Sequence, residues 1–160
     1  MKRRTWIAGL VVVGAVGWYL FRPELLFVHK RVNEAEVRTS AGATVAAALY
    51  TGRFHSVAHE THGTATVQQV AQGQRVLRLT DFATSNGPDV RVYLVATNDA
   101  SDNETVKQAG FVELGKLKGT EGNQNYEIPA TVDLARYRAV TIWCKRFAVN
   151  FATAPLTPTS

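Results

Sequence analysis

Cys144 is the residue of this sequence best suited to redox chemistry, and it is the only cysteine among 160 residues. A single thiol excludes internal disulfides, multi-cysteine zinc sites, iron–sulfur clusters and dithiol chemistry within the chain. Any redox event at Cys144 is therefore one-electron, metal-centred or intermolecular. Two interpretations stay open: Cys144 packs in the core as a small apolar residue, or the cations Lys145 and Arg146 that follow it favour the reactive thiolate.

Three histidines, His55, His59 and His62, lie close together in the segment GRFHSVAHETHGTATV. On an extended strand, His55 and His59 point to the same side about 13 Å apart, which is too far for one metal ion. A turn after His59 brings His59 and His62 together, and Glu60 or Cys144 then completes a mixed ligand set. The sequence thus offers His59, His62 and Cys144 as metal ligands, with solvated turn histidines as the alternative.

Asp81 is a further candidate site residue. In the strand-like segment VLRLTDF, Leu77 and Leu79 point to one side, and the same alternation places Asp81 on that inward side. A buried carboxylate needs a partner, and a hydrogen bond from Asp81 would orient His59. The sequence contains no nucleophile elbow, Walker loop, HExxH or dinucleotide-binding fingerprint, so no hydrolase or nucleotide-binding motif competes with a redox interpretation.

The elements that must position these residues are short β-type segments separated by turn residues. This pattern is typical of an all-β fold, and we predict an antiparallel β-sandwich of about eight strands. The predicted strands are residues 53–59, 64–71, 74–81, 90–97, 111–115, 124–129, 139–145 and 147–152. No long helical pattern interrupts them, so the candidate site residues are expected on strands and on the turns that join them.

Alternation within the last two strands predicts which side chains enter the core. In Ala139–Arg146, Cys144 shares the apolar face with Val140 and Ile142. Phe147–Phe151 repeats the alternation, so both phenylalanines are expected to point inward. The thiol therefore lies at the apolar end of a strand.

Two elements other than strands are expected. One or two helical turns are predicted within Ala100–Ala109, with Ser101 or Asp102 as the N-cap. The segment Asn86–Asp89 (NGPD) combines a glycine with a proline of fixed φ, which predicts a tight corner before the next strand.

The N-terminal segment Trp6–Phe21 carries no charge and predicts a membrane anchor. An α-helix of this length spans about 24 Å, slightly less than a hydrocarbon core, and Arg22 extends it by snorkelling. A cleaved signal peptide is the alternative, although the segment exceeds the usual apolar region and lacks a clean small-residue cleavage site. We predict a single-pass protein of the cell (inner) membrane, with its N-terminus cytoplasmic and its C-terminal domain extracytoplasmic. After signal cleavage the same domain would be secreted or periplasmic.

The net charge of +5 comes largely from four cations at the flanks of this segment, Lys2, Arg3, Arg4 and Arg22. Without these four, 14 basic residues remain against 13 acidic ones. A nucleic-acid-binding protein carries its positive excess within the folded domain, so we predict no nucleic-acid partner. The resulting division of the chain is an anchor at 1–22, a stalk at 23–50, a β-sandwich domain at 51–156 and a tail at 157–160.

From Gly52 to about Leu156, the sequence resembles the DM-thirteen domain, an exported β-rich module also found beside DOMON and b-type cytochrome domains. The matching segments are GRFHSVAHETHGTATV, RVLRLTDFATSNGPDVRVYLVA, GFVELGKLKGTEGNQNYEIP and DLARYRAVTIWCKRFAVNFATAPL. The resemblance implies an electron-transfer or redox module whose cysteine, here Cys144, is the active residue. His59, Asp81 and the NGPD corner also fall on motif positions of the family, whereas His62 stands where the family commonly has a small residue.

These observations predict a membrane-anchored electron-transfer module centred on Cys144, with His59 as base or second ligand and Asp81 as its orienting group. The sequence identifies no cofactor; a transition metal or a haem-containing partner protein are the candidates, and the membrane and a redox protein would be its partners. The alternative is a non-enzymatic module that binds a protein or envelope component through its loops or a sheet edge. In that function, Cys144 is only a core residue.

Overall fold

The computed structural model of the chain describes residues 11, 14, 17, 19, 29–38, 46–71 and 73–159. The predicted anchor, Trp6–Phe21, lies outside the described residues except at positions 11, 14, 17 and 19, where the backbone is helical. Among the residues that the structure describes, no helix combines the length and the apolar character needed to cross a bilayer.

The described part of the chain is mostly β and forms two sheets, in agreement with the predicted fold class. Its eleven strands are β1 (Arg31–Asn33), β2 (Ala47–Arg53), β3 (His55–Ser56), β4 (His62–Ala71), β5 (Gln74–Ala83), β6 (Val90–Val95), β7 (Phe111–Lys116), β8 (Glu121–Ile128), β9 (Ala139–Cys144), β10 (Val149–Pro155) and β11 (Thr157–Pro158). One short helix, α1 (Asn103–Ala109), follows β6.

The strands form a six-stranded sheet in the order β1-β8-β5-β4-β2-β11 and a five-stranded sheet in the order β3-β10-β9-β6-β7. Among the described strands, β1 and β8 are parallel, and the other pairs are antiparallel as predicted. The main core lies between the two sheets, where Val67 and Leu77 of one sheet and Leu94 and Ile142 of the other are fully buried. This arrangement is a two-layer packing with alternate side chains pointing inward.

A second, smaller core covers the outer face of the five-stranded sheet. It contains Tyr93 and Trp143 from the sheet together with Val106 from α1. Val106 is fully buried, which for a valine side chain contributes about 1.5–3 kcal/mol to folding. Asp102 caps the helix as predicted, because its carboxylate accepts a hydrogen bond of 2.7 Å from the backbone N–H of Thr105. The five-stranded sheet is therefore covered on both faces.

Strands β1 and β2 lie partly or wholly within residues 23–50, the range predicted as a stalk. β1 pairs with β8 from Arg31↔Glu121 onward, and β2 pairs with β4. Between these strands, the Glu34 carboxylate accepts hydrogen bonds from Lys118 Nζ at 2.7 and 2.9 Å. At these positions the chain is thus held against the six-stranded sheet by backbone pairing and by an ion pair.

The strand predicted at 147–152 begins two residues later in the structure. Lys145–Ala148 forms the turn that joins β9 to β10, and Phe147 in this turn is 67% exposed. The expectation that Phe147 points inward was therefore wrong, because the turn interrupts the alternation on which it rested. Phe151 is buried in the main core as predicted, and Asn150 points away from it.

Candidate functional site

Cys144 lies at the end of β9, in the middle of the five-stranded sheet. It pairs with Val149 of β10 on one side and with Val90 of β6 on the other. Its side chain is 1% exposed and belongs to the main core together with Val140 and Ile142. The predicted side of the strand is confirmed, and the thiol is surrounded by the apolar core between the sheets.

Lys145, the cation next to the thiol, is engaged elsewhere. Its backbone N–H donates to the Asp89 carbonyl oxygen at 2.8 Å, and its Nζ lies 3.1 Å from Oε2 of Glu113. Glu113 is paired in register with Tyr93, whose side chain is in the smaller core on the outer face of the sheet. The Lys145 ammonium therefore forms an ion pair with a carboxylate on the face opposite to Cys144.

His59 is positioned by a bulge in β10. Phe151 is an extra residue between the pairs Asn150↔Trp143 and Ala152↔Ile142, so its carbonyl is released from the ladder. This oxygen accepts hydrogen bonds from the backbone N–H groups of residues 57, 58 and 59 at 2.9–3.2 Å. The half-buried His59 imidazole consequently lies on the Phe151 ring, with 3.8 Å between ring centroids. His59 thus contacts an aromatic residue of the same core that contains the thiol.

The other two histidines have separate environments. His55 Nε2 lies 2.8 Å from the Asp99 carboxylate, and His62 is exposed at the start of β4. The described residues contain no group of three or more His, Cys, Asp or Glu side chains placed to hold one metal ion. His59, His62 and Cys144 are accordingly not assembled in this structure into the ligand set predicted from the sequence.

Asp81 is exposed, which contradicts the prediction that it points into the core. The reason is a bulge in β5: the segment from Leu79 to Phe82 has one residue more than the facing segments of β4 and β8. Within this segment, Asp81 adopts a left-handed φ of 48°. Its backbone N–H donates a hydrogen bond to Asn123 Oδ1 at 3.0 Å. The bulge restores the inward position to Phe82 and turns Asp81 outward.

Asp81 and His62 line one open groove of about 400 Å³ at the edge of the six-stranded sheet. The groove is completed by polar residues from β1 and β8, including Arg31, Asn33 and Asn123. The sequence had placed residues 31 and 33 in a stalk, so it contained no signal that they would meet Asp81. Neither Cys144 nor His59 lines this groove, so the groove does not bring them together with Asp81.

An aromatic group on the outer face of the five-stranded sheet was missed from the sequence. Phe111 of β7 stacks parallel on Tyr93 of β6, with centroids 4.3 Å apart, and Tyr93 lies 6.3 Å from the Trp143 ring of β9. The Tyr93 hydroxyl is 3.5 Å from Oε2 of Glu113. Burial, aided by the charge of Glu113, raises the pKa of Tyr93 to about 12. Periodicity indicates single faces of strands, so it did not reveal this contact among three strands.

The family model described as Electron transfer DM13 matches residues 53–156, which is more than half of the chain. The chain belongs to this DM13 family. The resemblance noted from the sequence is thereby confirmed. Comparison with curated proteins and with solved structures gave no match.

The DM13 match includes the whole five-stranded sheet and begins at the last residue of β2. It contains Cys144, His59 and Asp81, and it also contains the aromatic residues Tyr93 and Trp143. β1 and nearly all of β2 precede it, and β11 follows it; all three belong to the six-stranded sheet. The six-stranded sheet therefore combines strands of the DM13 region with strands on both sides of it.

Proposed function

We propose that this DM13 domain is an electron-transfer module with Cys144 as its redox residue. The observation that carries the proposal is the family match, whose description is electron transfer and whose range contains the only thiol of the chain. His59 is the candidate for a supporting role, because the Phe151 ring on which it lies belongs to the same core as Cys144. Asp81 lines a groove that contains neither Cys144 nor His59, so the proposal assigns it no role.

The burial of Cys144 limits how it exchanges electrons. A thiol that is 1% exposed is not accessible to a disulfide of another molecule, since exchange requires direct attack of sulfur on sulfur. Contact exchange therefore needs local opening at the Cys144↔Val149 pair, which closes the β9–β10 hairpin. In the closed domain, electrons pass between the interior and a redox partner protein without contact at the sulfur.

A second candidate function is a binding module in which Cys144 is only a core residue. The apolar surroundings of the thiol favour it, because a packing cysteine needs apolar neighbours and nothing else. Binding would then use loops or a sheet edge, such as the polar groove that contains His62 and Asp81. The two functions differ in whether Cys144 takes part in electron transfer, and the test is therefore a measurement on this residue.

The test measures thiol chemistry and electron exchange in the full chain. We expect labelling of Cys144 by a disulfide reagent to be at least about 100-fold slower in the native protein than in denaturant, which corresponds to an opening cost of about 3 kcal/mol. In the electron-transfer function, the native protein exchanges electrons with one-electron mediators, whereas Cys144→Ser and Cys144→Ala do not. Unchanged exchange in both folded variants would assign the electron transfer to other residues, and no exchange in any of the three proteins would favour the binding module.

We further propose that the domain is held outside the cytoplasm by a single-pass anchor at residues 1–22. The support is the uncharged segment Trp6–Phe21 between Lys2-Arg3-Arg4 and Arg22. We expect the full-length chain in the membrane fraction, with its C-terminal domain degraded by protease added from the extracytoplasmic side. Placing three glutamates at positions 2 to 4 is expected to weaken this orientation. A shortened chain in the soluble extracytoplasmic fraction would instead identify a cleaved signal peptide.

A further inference from the structure

The aromatic group formed by Phe111, Tyr93 and Trp143 connects the interior of the five-stranded sheet to its surface. Trp143 is 6% exposed and Tyr93 is 1% exposed, whereas Phe111 at the other end is 47% exposed. The three rings lie on adjacent strands in the order β9, β6 and β7. This aromatic column, Trp143–Tyr93–Phe111, therefore begins in the smaller core, on the face of β9 opposite to Cys144, and ends in solvent.

Tyrosine and tryptophan are the two side chains of this column that undergo one-electron oxidation at accessible potentials. The Tyr93 and Trp143 rings are inclined by 25° with centroids 6.3 Å apart, and Tyr93 and Phe111 are inclined by 1° at 4.3 Å. Such stacked geometries bring the π-systems into close approach. A phenol must also lose its proton when it loses an electron, so a tyrosine carrier needs a proton acceptor beside its hydroxyl.

Glu113 supplies that acceptor. Its Oε2 is 3.5 Å from the Tyr93 hydroxyl, and it also accepts from Lys145 Nζ at 3.1 Å, while Oε1 accepts from Arg91 Nη1 at 2.5 Å. Burial alone would raise the pKa of Glu113, but the hydrogen bond from Lys145 and the charges of Arg91 and Lys145 outweigh it, so the pKa lies below its usual value. Glu113 is therefore ionised and hydrogen-bonded at neutral pH.

We propose that Trp143 and Tyr93 carry single electrons between the interior of the domain and its surface at Phe111, with Glu113 holding the phenolic proton during transfer. This inference rests on the proposed electron-transfer function, and it adds a route and a proton acceptor to it.

The step balances with a one-electron oxidant, which is an oxidised redox partner in the proposed function and a radical oxidant in the test. The oxidant removes one electron from the Trp143 indole. Tyr93 then returns one electron to Trp143 and passes its phenolic proton to the Glu113 carboxylate, leaving a neutral tyrosyl radical and a protonated Glu113. A one-electron donor reverses the step, because the phenolate that it forms takes back the proton from Glu113.

The experiment oxidises the full chain with azide radicals, which attack tryptophan preferentially, and follows the tryptophanyl and tyrosyl absorptions with time. In the wild type, we expect a phase in which the tyrosyl signal grows as the tryptophanyl signal decays, at a rate independent of protein concentration. Tyr93→Phe keeps the ring in place and is expected to lose this phase. Glu113→Gln keeps the side-chain size and is expected to slow it about 100-fold.

The matched control is Tyr126→Phe. Tyr126 is also buried, at 4% exposure, but its hydroxyl contacts Gln124 in the other sheet. The Tyr126→Phe variant is expected to keep the phase of tyrosyl growth.

Trp143→Phe, checked for folding by its unfolding transition, is expected to lose this phase although Trp6 and Trp18 remain. A first-order tyrosyl phase of equal amplitude in Tyr93→Phe, or the absence of any such phase in the wild type, would overturn the proposal.

Cys144→Ser distinguishes this inference from the function on which it rests. The radical is generated at Trp143, so the tyrosyl phase is expected to persist in Cys144→Ser whether or not Cys144 has a redox role. Loss of mediator exchange in Cys144→Ser with the phase intact would support both proposals. Loss of the phase in Tyr93→Phe together with unchanged mediator exchange would keep the electron-transfer function and remove Tyr93 from its route.

Discussion

Replacing Phe151 with alanine is expected to lower the free energy of unfolding by about 3–5 kcal/mol. The ring is 3% exposed and belongs to the main core between the sheets, where its removal leaves a cavity. The same change removes the surface on which His59 lies, so we expect faster labelling of Cys144 in the native state. Denaturant unfolding monitored by circular dichroism measures the first effect, and thiol labelling measures the second.

Phe147→Ala is the matched control, because Phe147 lies in the turn between the same two strands and is 67% exposed. Its effect on the free energy of unfolding is expected to stay within about 0.5 kcal/mol. Comparable losses in Phe147→Ala and Phe151→Ala would contradict the turn at Lys145–Ala148 and would restore the uninterrupted alternation predicted from the sequence.

Replacing Gly63 with alanine is expected to lower the free energy of unfolding by about 4 kcal/mol, because two costs combine. Gly63 has a φ of +120°, which an alanine adopts only with strain, and a Cβ there would meet Phe82 Cα at 2.7 Å and the Thr80 carbonyl oxygen at 2.9 Å. These atoms belong to the β5 segment that bulges at Asp81. The substitution is therefore expected to displace Asp81 and widen the groove that it lines with His62.

Gly115→Ala separates the two costs. Gly115 has a φ of +144°, but a Cβ there would meet no atom within 4 Å. The backbone cost alone is expected, about 1–2 kcal/mol. If the two alanine variants unfold at the same denaturant concentration, the close approach of β4 to the β5 bulge does not exist in solution.

The strand pattern predicted local features of the candidate site well. Val140, Ile142 and Cys144 share one face because β9 is regular over its whole length, so a period of two holds up to the thiol. At Asp81 the same reasoning failed, although the spacing of the neighbouring apolar residues indicated an irregular strand. The apolar residues Leu77, Leu79 and Phe82 are not evenly spaced, and the extra residue before Phe82 marks the bulge.

Features that depend on distant parts of the chain could not be predicted in this way. β1 has only three residues, so neither its composition nor its length indicated a strand. Its partner, β8, lies about ninety residues later in the chain. The contact of Trp143 with Tyr93 likewise depends on the order of strands in the sheet. Alternation indicates a face for each residue, and only the topology indicates which faces are adjacent.

The edges of the two sheets are the places where a strand of another copy could pair with this protein. Among the described strands, three of the four edges are β1, β3 and β11, each with no more than three residues. Such brief edges expose few unpaired backbone groups and resist the growth of aggregates through strand addition. β7 is the longer edge, and Lys116 at its end supplies a charge that disfavours stacking. The described edges of both sheets therefore offer little continuous backbone for pairing between copies.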